Sequence, residues 1–335
     1  MRTSRRCGRS GAERVPDPAL SFVIPVRNDA ERLRRCLQSI AAATPDGVPV
    51  EIVVADNGST DASAQVARAA GATVLELPGV GLGELRNRAA RAARGELLAF
   101  VDADHEIGTG WVEAARTDLA LPGVAGAGAP CHAPKPGTWV QQIYDRLRRR
   151  PAGQEETYWL GSGNLVVRRE QFHAIGGFDT TLETCEDVDL CRKLRATGGR
   201  LLSDERLYNI HYGDPRTLRH VFFGELWRGR DNIRVSLRAP RSGRSLISAA
   251  IPLFILVALA TAVVGVLTLA PIGLALAAAA IGAVILLIAL RAGRLTHGTT
   301  DWPKAFAVAS AYELGRSFAV ASRVGYERRR RGAAA

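Results

Sequence analysis

The sequence predicts an α/β protein in which a mixed, mainly parallel sheet is flanked by helices and followed by a C-terminal transmembrane helical hairpin. Two observations support this fold class. Short apolar, β-branched runs alternate with helical patterns between residues 20 and 104, and such alternation is typical of parallel sheets covered by helices. No charged residue occurs from Ser245 to Leu290, a stretch about twice the roughly 20 residues that a helix needs to cross a bilayer.

The elements of the sheet are predicted from hydrophobic periodicity. In the first helical stretch, apolar residues recur at spacings of three and four, which indicates one buried face. The predicted strands are 20–26 (LSFVIPV), 50–56 (VEIVVAD), 72–77 (ATVLEL) and 96–104 (ELLAFVDAD), and the helices after the first three centre on Leu37, residues 61–71 and residues 83–95. Beyond residue 123 the alternation is irregular, and helical patterns return at 186–199 and 217–238.

The division of the chain follows its charge. The formal net charge is +11, and all charged residues lie outside the apolar stretch. We expect five segments: a disordered basic arm at 1–18, a folded domain at 19–215, a basic amphipathic juxtamembrane helix at 216–244, two transmembrane helices at 245–290, and an amphipathic segment with a basic tail at 291–335.

The apolar stretch is divided by Pro271 and Gly273, which predicts spans at about 246–269 and 272–290. The alternative is a buried helical pair in a soluble protein, but the stretch is apolar all round, whereas soluble helices usually keep a polar face. Arginines precede and follow it. By the positive-inside rule, the folded domain and the C-terminus are expected on the cytoplasmic side of the inner (plasma) membrane.

Two further features bear on the compartment. The N-terminus is basic without an apolar core segment, which is not the pattern of a signal peptide. The five cysteines form no CxxC pair, and an odd count in a cytoplasmic domain favours reduced thiols.

Polar side chains follow three of the predicted strands, as RND at 27–29, DNGSTD at 56–61 and DAD at 102–104. Because ligands of parallel sheets bind beyond the carboxyl ends of the strands, these groups are candidates for one site. Helix capping is the alternative for residues 59–61, although it explains Asp56 poorly.

Asp102 and Asp104 are separated by one residue, and on an extended chain such side chains point the same way. They are therefore expected to share a hard divalent cation, Mn²⁺ or Mg²⁺. Such ions complete their shell with water and substrate phosphate, so the inferred ligand is a diphosphate or triphosphate. His105 and Glu106, which come next, are interpreted as peripheral.

Four motifs in order, FVIPVRND, DNGSTD, GLGELRNRAARAARGELLAFVDAD and GGFDTTLETCEDVDLCRKLR, resemble those of the inverting family 2 glycosyltransferases, which have the Rossmann-like GT-A fold. The resemblance covers roughly residues 20–215. It implies a nucleotide-sugar donor held by strand ends, by an arginine of the third helix and by the DxD pair. The implied donor-binding residues are Pro25, Arg27, Asn28, Asp56, Arg86 and Asp102, and the implied metal ligands are Asp104 and Asp102.

The same resemblance implies that the catalytic base lies in the acidic pair Glu186 and Asp187, with Asp187 as base and Glu186 positioning it or the acceptor. First-turn acids favoured by the helix dipole are the alternative, and that alternative is preferred for Asp189. A histidine completes the metal shell in several relatives, which implies His211, although a lone histidine is more often structural.

The segment 226–244 combines Trp227 with six arginines. One interpretation is an interfacial helix attracted to anionic headgroups, and the other is that Arg228 and Arg230 contact the donor diphosphate. Glycines in GSGN (161–164) would permit close approach of an acceptor, or form an ordinary turn. The segment 305–326 could pack on the hairpin, lie on the membrane or span it.

Together these features predict metal-dependent, inverting transfer of a sugar from a nucleotide-sugar to a hydroxyl of a membrane-associated acceptor, such as a polyprenyl-linked glycan, a glycolipid or an exopolysaccharide precursor. The expected partners are this donor, this acceptor and the lipid bilayer, with no nucleic acid. Two alternatives remain. A nucleotidyltransferase or dinucleotide-binding oxidoreductase would favour a glycine-rich turn after the first strand, where PVRND has none. A non-catalytic membrane scaffold would be expected to lose an acid from one of the two pairs.

Overall fold

The computed structural model describes residues 18–148, 152–238, 243–296 and 299–332. The basic arm expected at 1–18 lies, except for its last residue, outside the described residues. The strands are β1 (Leu20–Val26), β2 (Val50–Asp56), β3 (Thr73–Glu76), β4 (Leu97–Val101), β5 (His105–Ile107), β6 (Val124–Gly128), β7 (Gln154–Thr157), β8 (Asn164–Arg168), β9 (Arg200–Asp204) and β10 (Asn209–His211). The helices are α1 (Ala30–Ala43), α2 (Ser63–Ala69), α3 (Leu82–Ala92), α4 (Trp111–Ala120), α5 (Trp139–Arg148), α6 (Arg169–Ala174), α7 (Glu186–Ala196), α8 (Leu218–Arg228), α9 (Asn232–Leu237), α10 (Gly243–Thr268), α11 (Pro271–Gly293) and α12 (Trp302–Gly332), with a 3₁₀ turn at Thr299–Asp301.

The main sheet has eight strands in the order β3-β2-β1-β4-β8-β6-β9-β7. β1 pairs in parallel with β2 and β4, and β2 with β3. β8 is antiparallel to both of its neighbours, so the sheet is mixed, as predicted. The chain crosses from β3 back to β4 on the other side of β1, which places the reversal of strand order between β1 and β4. Ligands of open α/β sheets bind at such a reversal.

Both faces of the sheet are covered. Alternate residues of β1 belong to two different buried clusters: Phe22 and Ile24 pack with α1 on one face, and Val23 packs with α3 on the other. The periodicity in α1 predicts its buried side correctly, because Leu33, Cys36, Leu37 and Ile40 are all buried. The carboxyl ends of β1, β2 and β4 therefore form a rigid edge on which polar loops are mounted.

The fourth strand ends earlier than expected. β4 stops at Val101, and residues 102–104 form a turn in which the His105 amide donates to the Asp102 carbonyl at 3.0 Å. The chain then enters β5, which pairs antiparallel with β10 to form a small second sheet. The expectation that Asp102 and Asp104 sit on an extended chain is therefore wrong, so the period-two argument, which holds only within a strand, does not apply to them.

The C-terminal region contains two long apolar helices. Residues 246–268 of α10 and 271–293 of α11 each have a mean hydropathy of 2.7 and the length to cross a membrane. They pack closely where Gly265 faces Gly273. The backbones are so near each other that a side chain at Gly265 would collide with the Gly273 backbone. The described bounds agree with the two spans expected from the sequence.

The segments on either side of the hairpin differ from the expectations. Residues 216–244 form two short helices, α8 and α9, rather than one, and residues 239–242 are not described. α12 packs on the hairpin, since Ala305, Val308 and Ala309 share a buried cluster with apolar residues of α10 and α11. A buried Glu313 of α12 also pairs with Arg291 of α11 at 2.6 Å.

Candidate active site

A cavity of about 270 Å³ opens at the carboxyl ends of β1 and β4, where the strand order reverses. Its lining combines strand ends with the loops that follow them. The lining residues are Pro25, Val26, Arg27, Asp29, Asn57, Leu82, Leu85, Asp102, Ala103, Asp104 and His211. Of the implied donor and metal residues, Pro25, Arg27, Asp102, Asp104 and His211 therefore lie on one surface.

Asn28 and Asp56 hold the loops of this edge together. Asn28 has a positive φ of 51°, and its side-chain oxygen accepts from the Thr60 amide at 2.7 Å. The Asp56 carboxylate accepts from the Ser59 amide at 2.8 Å, so it caps its own turn. Neither residue is among those that line the cavity. Asn57 of the same motif does line it, although it is not among the donor-binding residues implied by the resemblance.

Arg86 lies behind the cavity, between two acids. Its guanidinium, which is 1% exposed, donates to Asp102 Oδ1 at 2.6 Å and to Glu186 Oε1 at 2.7 Å. A charge buried to this extent is tolerated because both partners are carboxylates. Arg86 thus connects the β4 turn to the first residue of α7, and the contact with a nucleotide that the resemblance implies stays a prediction.

His211 and Asp104 form a second polar chain. His211 Nε2 lies 3.2 Å from Asp104 Oδ2, and its Nδ1 lies 2.7 Å from Asp214 Oδ1. Asp214 is held in turn by Arg148. This arrangement fixes which nitrogen of His211 faces the cavity, as carboxylates commonly do for metal-binding histidines.

The pKa values follow from these contacts. Burial alone would raise the pKa of Asp104, but the hydrogen bond and charge of His211 hold it below its usual range. Burial would lower the pKa of His211, but hydrogen bonds to Asp104 and Asp214 raise that pKa to about 9. Asp104 therefore remains an anion, the form that binds a cation.

His105 is the residue that the sequence analysis missed. It is 3% exposed, its Nε2 lies 3.8 Å from Asp104 Oδ1, and its ring centroid lies 4.6 Å from that of His211. The two histidines face each other as register partners on β5 and β10. No local pattern indicates this pairing, because the two strands are distant in the sequence. His105 thus lies beside Asp104 and His211, whereas the sequence led us to expect it at the periphery of the site.

The acidic pair opens α7, and its two members have different surroundings. Glu186 is buried on Arg86. Asp187 is partly buried beside Gly161 and Trp159, and its Oδ1 accepts from the Val188 amide at 2.7 Å. Desolvation and the neighbouring Glu186 charge raise the pKa of Asp187 to about 7. A carboxylate with a pKa near neutrality is suited to general base catalysis.

Three other candidates have structural partners. Asp189 is fully buried and pairs with Arg192, Lys193 and Arg238, which fits the structural interpretation. Arg228 donates to Glu225 at 3.3 Å, and Arg230 to Glu183 at 3.2 Å. Both arginines are thus held by acids of the protein, and their contact with the donor stays a prediction.

Comparison with known proteins agrees with this geometry. Residues 21–176 match the family model for glycosyl transferase family 2. The chain is 26% identical to the glycosyltransferase AglE of Haloferax volcanii over 219 residues, covering 62% of this chain and 69% of AglE. It is 30% identical to the pre-mycofactocin glycosyltransferase of Mycobacterium tuberculosis over 196 residues, covering 54% of this chain but only 40% of that protein.

Among solved structures, the mannosyltransferase PcManGT from Pyrobaculum calidifontis, in complex with GDP-Man and Mn²⁺, has a TM-score of 0.58 at 20% identity and covers 90% of this chain and 88% of its own. This likeness concerns the fold and confirms the predicted GT-A-like class. The family resemblance is likewise confirmed over residues 21–176, which contain the first three of the four motifs. Residues 21–176 of this chain are therefore a glycosyl transferase family 2 domain.

Proposed function

We propose that this chain transfers a sugar, with inversion, from a nucleotide-diphosphate-sugar to a hydroxyl of a membrane-associated acceptor, with the help of a divalent metal. One observation carries the proposal: a single buried guanidinium, Arg86, bonds both Asp102 of the DxD turn and Glu186 of the acidic pair. The two halves of the site are thereby held at a fixed separation across the end of the sheet.

The donor half lies in the cavity between β1 and β4. Pro25 and Arg27 would contact the nucleoside, while Asn28 and Asp56 keep the loops around it in place. The mannosyltransferase of similar fold was solved with GDP-Man and Mn²⁺, which supports a donor and metal of this chemical class here.

The residues present fit a divalent metal. Asp104 offers a carboxylate, and His211 presents Nε2 beside it with Nδ1 fixed by Asp214. Asp102 would orient the diphosphate, with its own carboxylate held by Arg86. When bound, the metal would neutralise charge on the departing diphosphate.

The acceptor half is formed around Asp187. This carboxylate would take the proton from the attacking hydroxyl as it approaches the anomeric carbon, on the face opposite the leaving group. Glu186 remains bonded to Arg86 and keeps the pKa of Asp187 raised by its charge. Gly161, beside Asp187 Oδ2, leaves room for the acceptor.

The acceptor is proposed to lie at the membrane because of α10 and α11. Large apolar side chains such as Leu267 and Ile272 are exposed along these helices, and burial of such surface in lipid is favourable. On this basis we propose a multi-pass protein of the inner membrane, with residues 19–215 as the catalytic domain on the cytoplasmic side.

The full-length protein in detergent tests this function. We expect Mn²⁺-dependent release of sugar from one member of a panel of UDP-, GDP- and dTDP-sugars, and a product anomer opposite to that of the donor by NMR. Retention of the anomeric configuration would overturn the inverting mechanism. Binding without turnover, with a range of acceptors present, would favour the scaffold, and nucleotide transfer would favour the nucleotidyltransferase.

A further inference from the structure

His105 lies in the candidate metal site without a role in the proposed function. The described part of the chain contains one group of at least three side chains able to hold a metal, and His105 belongs to it with Asp104 and His211. Their ligand atoms lie within 4.8 Å of one another. Two ligands on opposite sides of an ion with bonds of about 2.1 Å lie about 4.2 Å apart, so a small closure of the side chains would suffice.

The backbone fixes both imidazoles. His105 and His211 are register partners in the antiparallel pair β5–β10, and side chains of such a pair lie directly opposite each other on one face. The Tyr212 amide also donates to the Asp104 carbonyl at 2.9 Å, which holds the acid between the two rings. The group is thus built by strand pairing rather than by mobile surface side chains.

His105 presents the correct nitrogen. Its Nδ1 faces Cys131 Sγ at 3.9 Å, while its Nε2 faces Asp104. The glycine at 163 allows this, since a Cβ there would lie 2.8 Å from His105 Cε1 and from Asp102 Oδ2. A buried imidazole whose Nε2 lies 3.8 Å from a carboxylate and whose ring packs against a second imidazole is placed to serve as a metal ligand.

We propose that His105 is a second imidazole ligand of the metal, and that the site consequently selects a transition metal such as Mn²⁺ over Mg²⁺. Imidazole nitrogen binds transition metals, among which Mn²⁺ has the lowest affinity of the divalent first-row series, whereas Mg²⁺ prefers oxygen ligands. A site with one imidazole and carboxylates would discriminate less between Mn²⁺ and Mg²⁺. This inference rests on the metal site of the proposed function, and it names the metal class that the sequence leaves open.

Pulsed EPR of Mn²⁺ bound to the full-length protein in detergent, without nucleotide, counts the coordinated imidazole nitrogens. We expect two in the wild type, one in His105→Phe and one in His211→Phe, because phenylalanine keeps the ring packing but removes the nitrogen. His173→Phe, on α6 far from the site, is the matched control and should keep two.

Competition between Mn²⁺ and Mg²⁺ for the site measures its selectivity. We expect His105→Phe to weaken Mn²⁺ binding by about tenfold or more and to change Mg²⁺ binding by less than about twofold. One nitrogen in the wild type, no Mn²⁺ binding, or equal Mn²⁺ affinity in the variant would overturn the inference. If the variant does not fold, the wild-type nitrogen count still decides.

Assaying sugar transfer on the same preparations separates the two proposals. Transfer with one coordinated imidazole would leave the function standing and remove the inference. Two coordinated imidazoles without transfer to any acceptor would support the inference and contradict the proposed function.

Discussion

The Asp104 carboxylate lies between two imidazoles and 3.7 Å from the guanidinium of Arg32, which is 41% exposed. Three cationic or potentially cationic groups therefore surround one acid. Asp104 belongs to the group of ligand atoms formed with His105 and His211, whereas Asp102 is bonded to Arg86, and for this reason we propose Asp104 as the main metal ligand.

Asp104→Asn is expected to weaken Mn²⁺ binding by at least about 100-fold, since it removes the anionic ligand that the metal needs. Isothermal titration with Mn²⁺ measures the effect. Asp46→Asn, an exposed acid elsewhere, is the control and should bind as the wild type does. Equal affinity in Asp104→Asn would remove this residue from the metal site.

The raised pKa of Asp187 predicts the pH dependence of transfer. A base must be deprotonated to act, so kcat/KM should rise about tenfold per unit as pH increases towards 7 and level off above it. Asp187→Asn should lower kcat by about 100-fold or more while leaving donor affinity unchanged. A variant with normal turnover would place the base elsewhere, and Glu186 would be tested next.

At the scale of elements, two glycines of one loop face different neighbours. A Cβ at Gly163 would lie 2.8 Å from the Asp102 carboxylate and from the His105 ring, whereas a Cβ at Gly161 would make only ordinary contacts of 3.9 Å. The loop before β8 thus approaches the metal site closely at one position only.

Gly163→Ala is therefore expected to weaken Mn²⁺ binding by about tenfold or more, because Asp102 and His105 must move. Gly161→Ala is the matched control and should bind Mn²⁺ normally. Calorimetry on both, together with thermal unfolding in the absence of metal, measures the difference. Equal Mn²⁺ affinities would show that the loop is not close to the metal site.

At the scale of the whole molecule, α12 joins the membrane-type hairpin to the catalytic domain. Its buried Glu313 pairs with Arg291 of α11. Arg291 Cζ also lies 4.6 Å from the centroid of the Tyr312 ring of α12. α12 also packs along α8, where Phe318 lies near Phe222. On the side of the candidate site, Arg148 of α5 pairs with Asp214, the partner of His211, and Tyr144 of α5 donates to Glu225 of α8.

The proposed topology is tested with reporter fusions. A fusion after residue 335 should report the cytoplasmic side, and a fusion at the turn near residue 270 the opposite side, because a hairpin returns the chain to the side where it began. Paired phosphatase and fluorescent reporters measure this. The same side for both positions would contradict a transmembrane hairpin.

The sequence alone is enough to predict the parallel part of the sheet, the edge at which the polar loops gather and the apolar hairpin. It could do so because these features follow from local periodicity: Leu33 and Ile40 mark a helix face wherever the chain folds, and an uncharged stretch of this length needs an apolar environment. The order of the four motifs likewise sufficed for the family.

The details of the site depend on contacts that form only when the chain folds. The turn that ends β4 at Val101 separates Asp102 from Asp104, and it depends on the pairing of β5 with a distant strand. The same pairing brings His105 onto His211, and Arg86 of α3 reaches both Asp102 and Glu186, the first residue of α7. Contacts between residues about 100 positions apart leave no local pattern, because hydrophobic periodicity reports which side of an element is buried and not what it meets there.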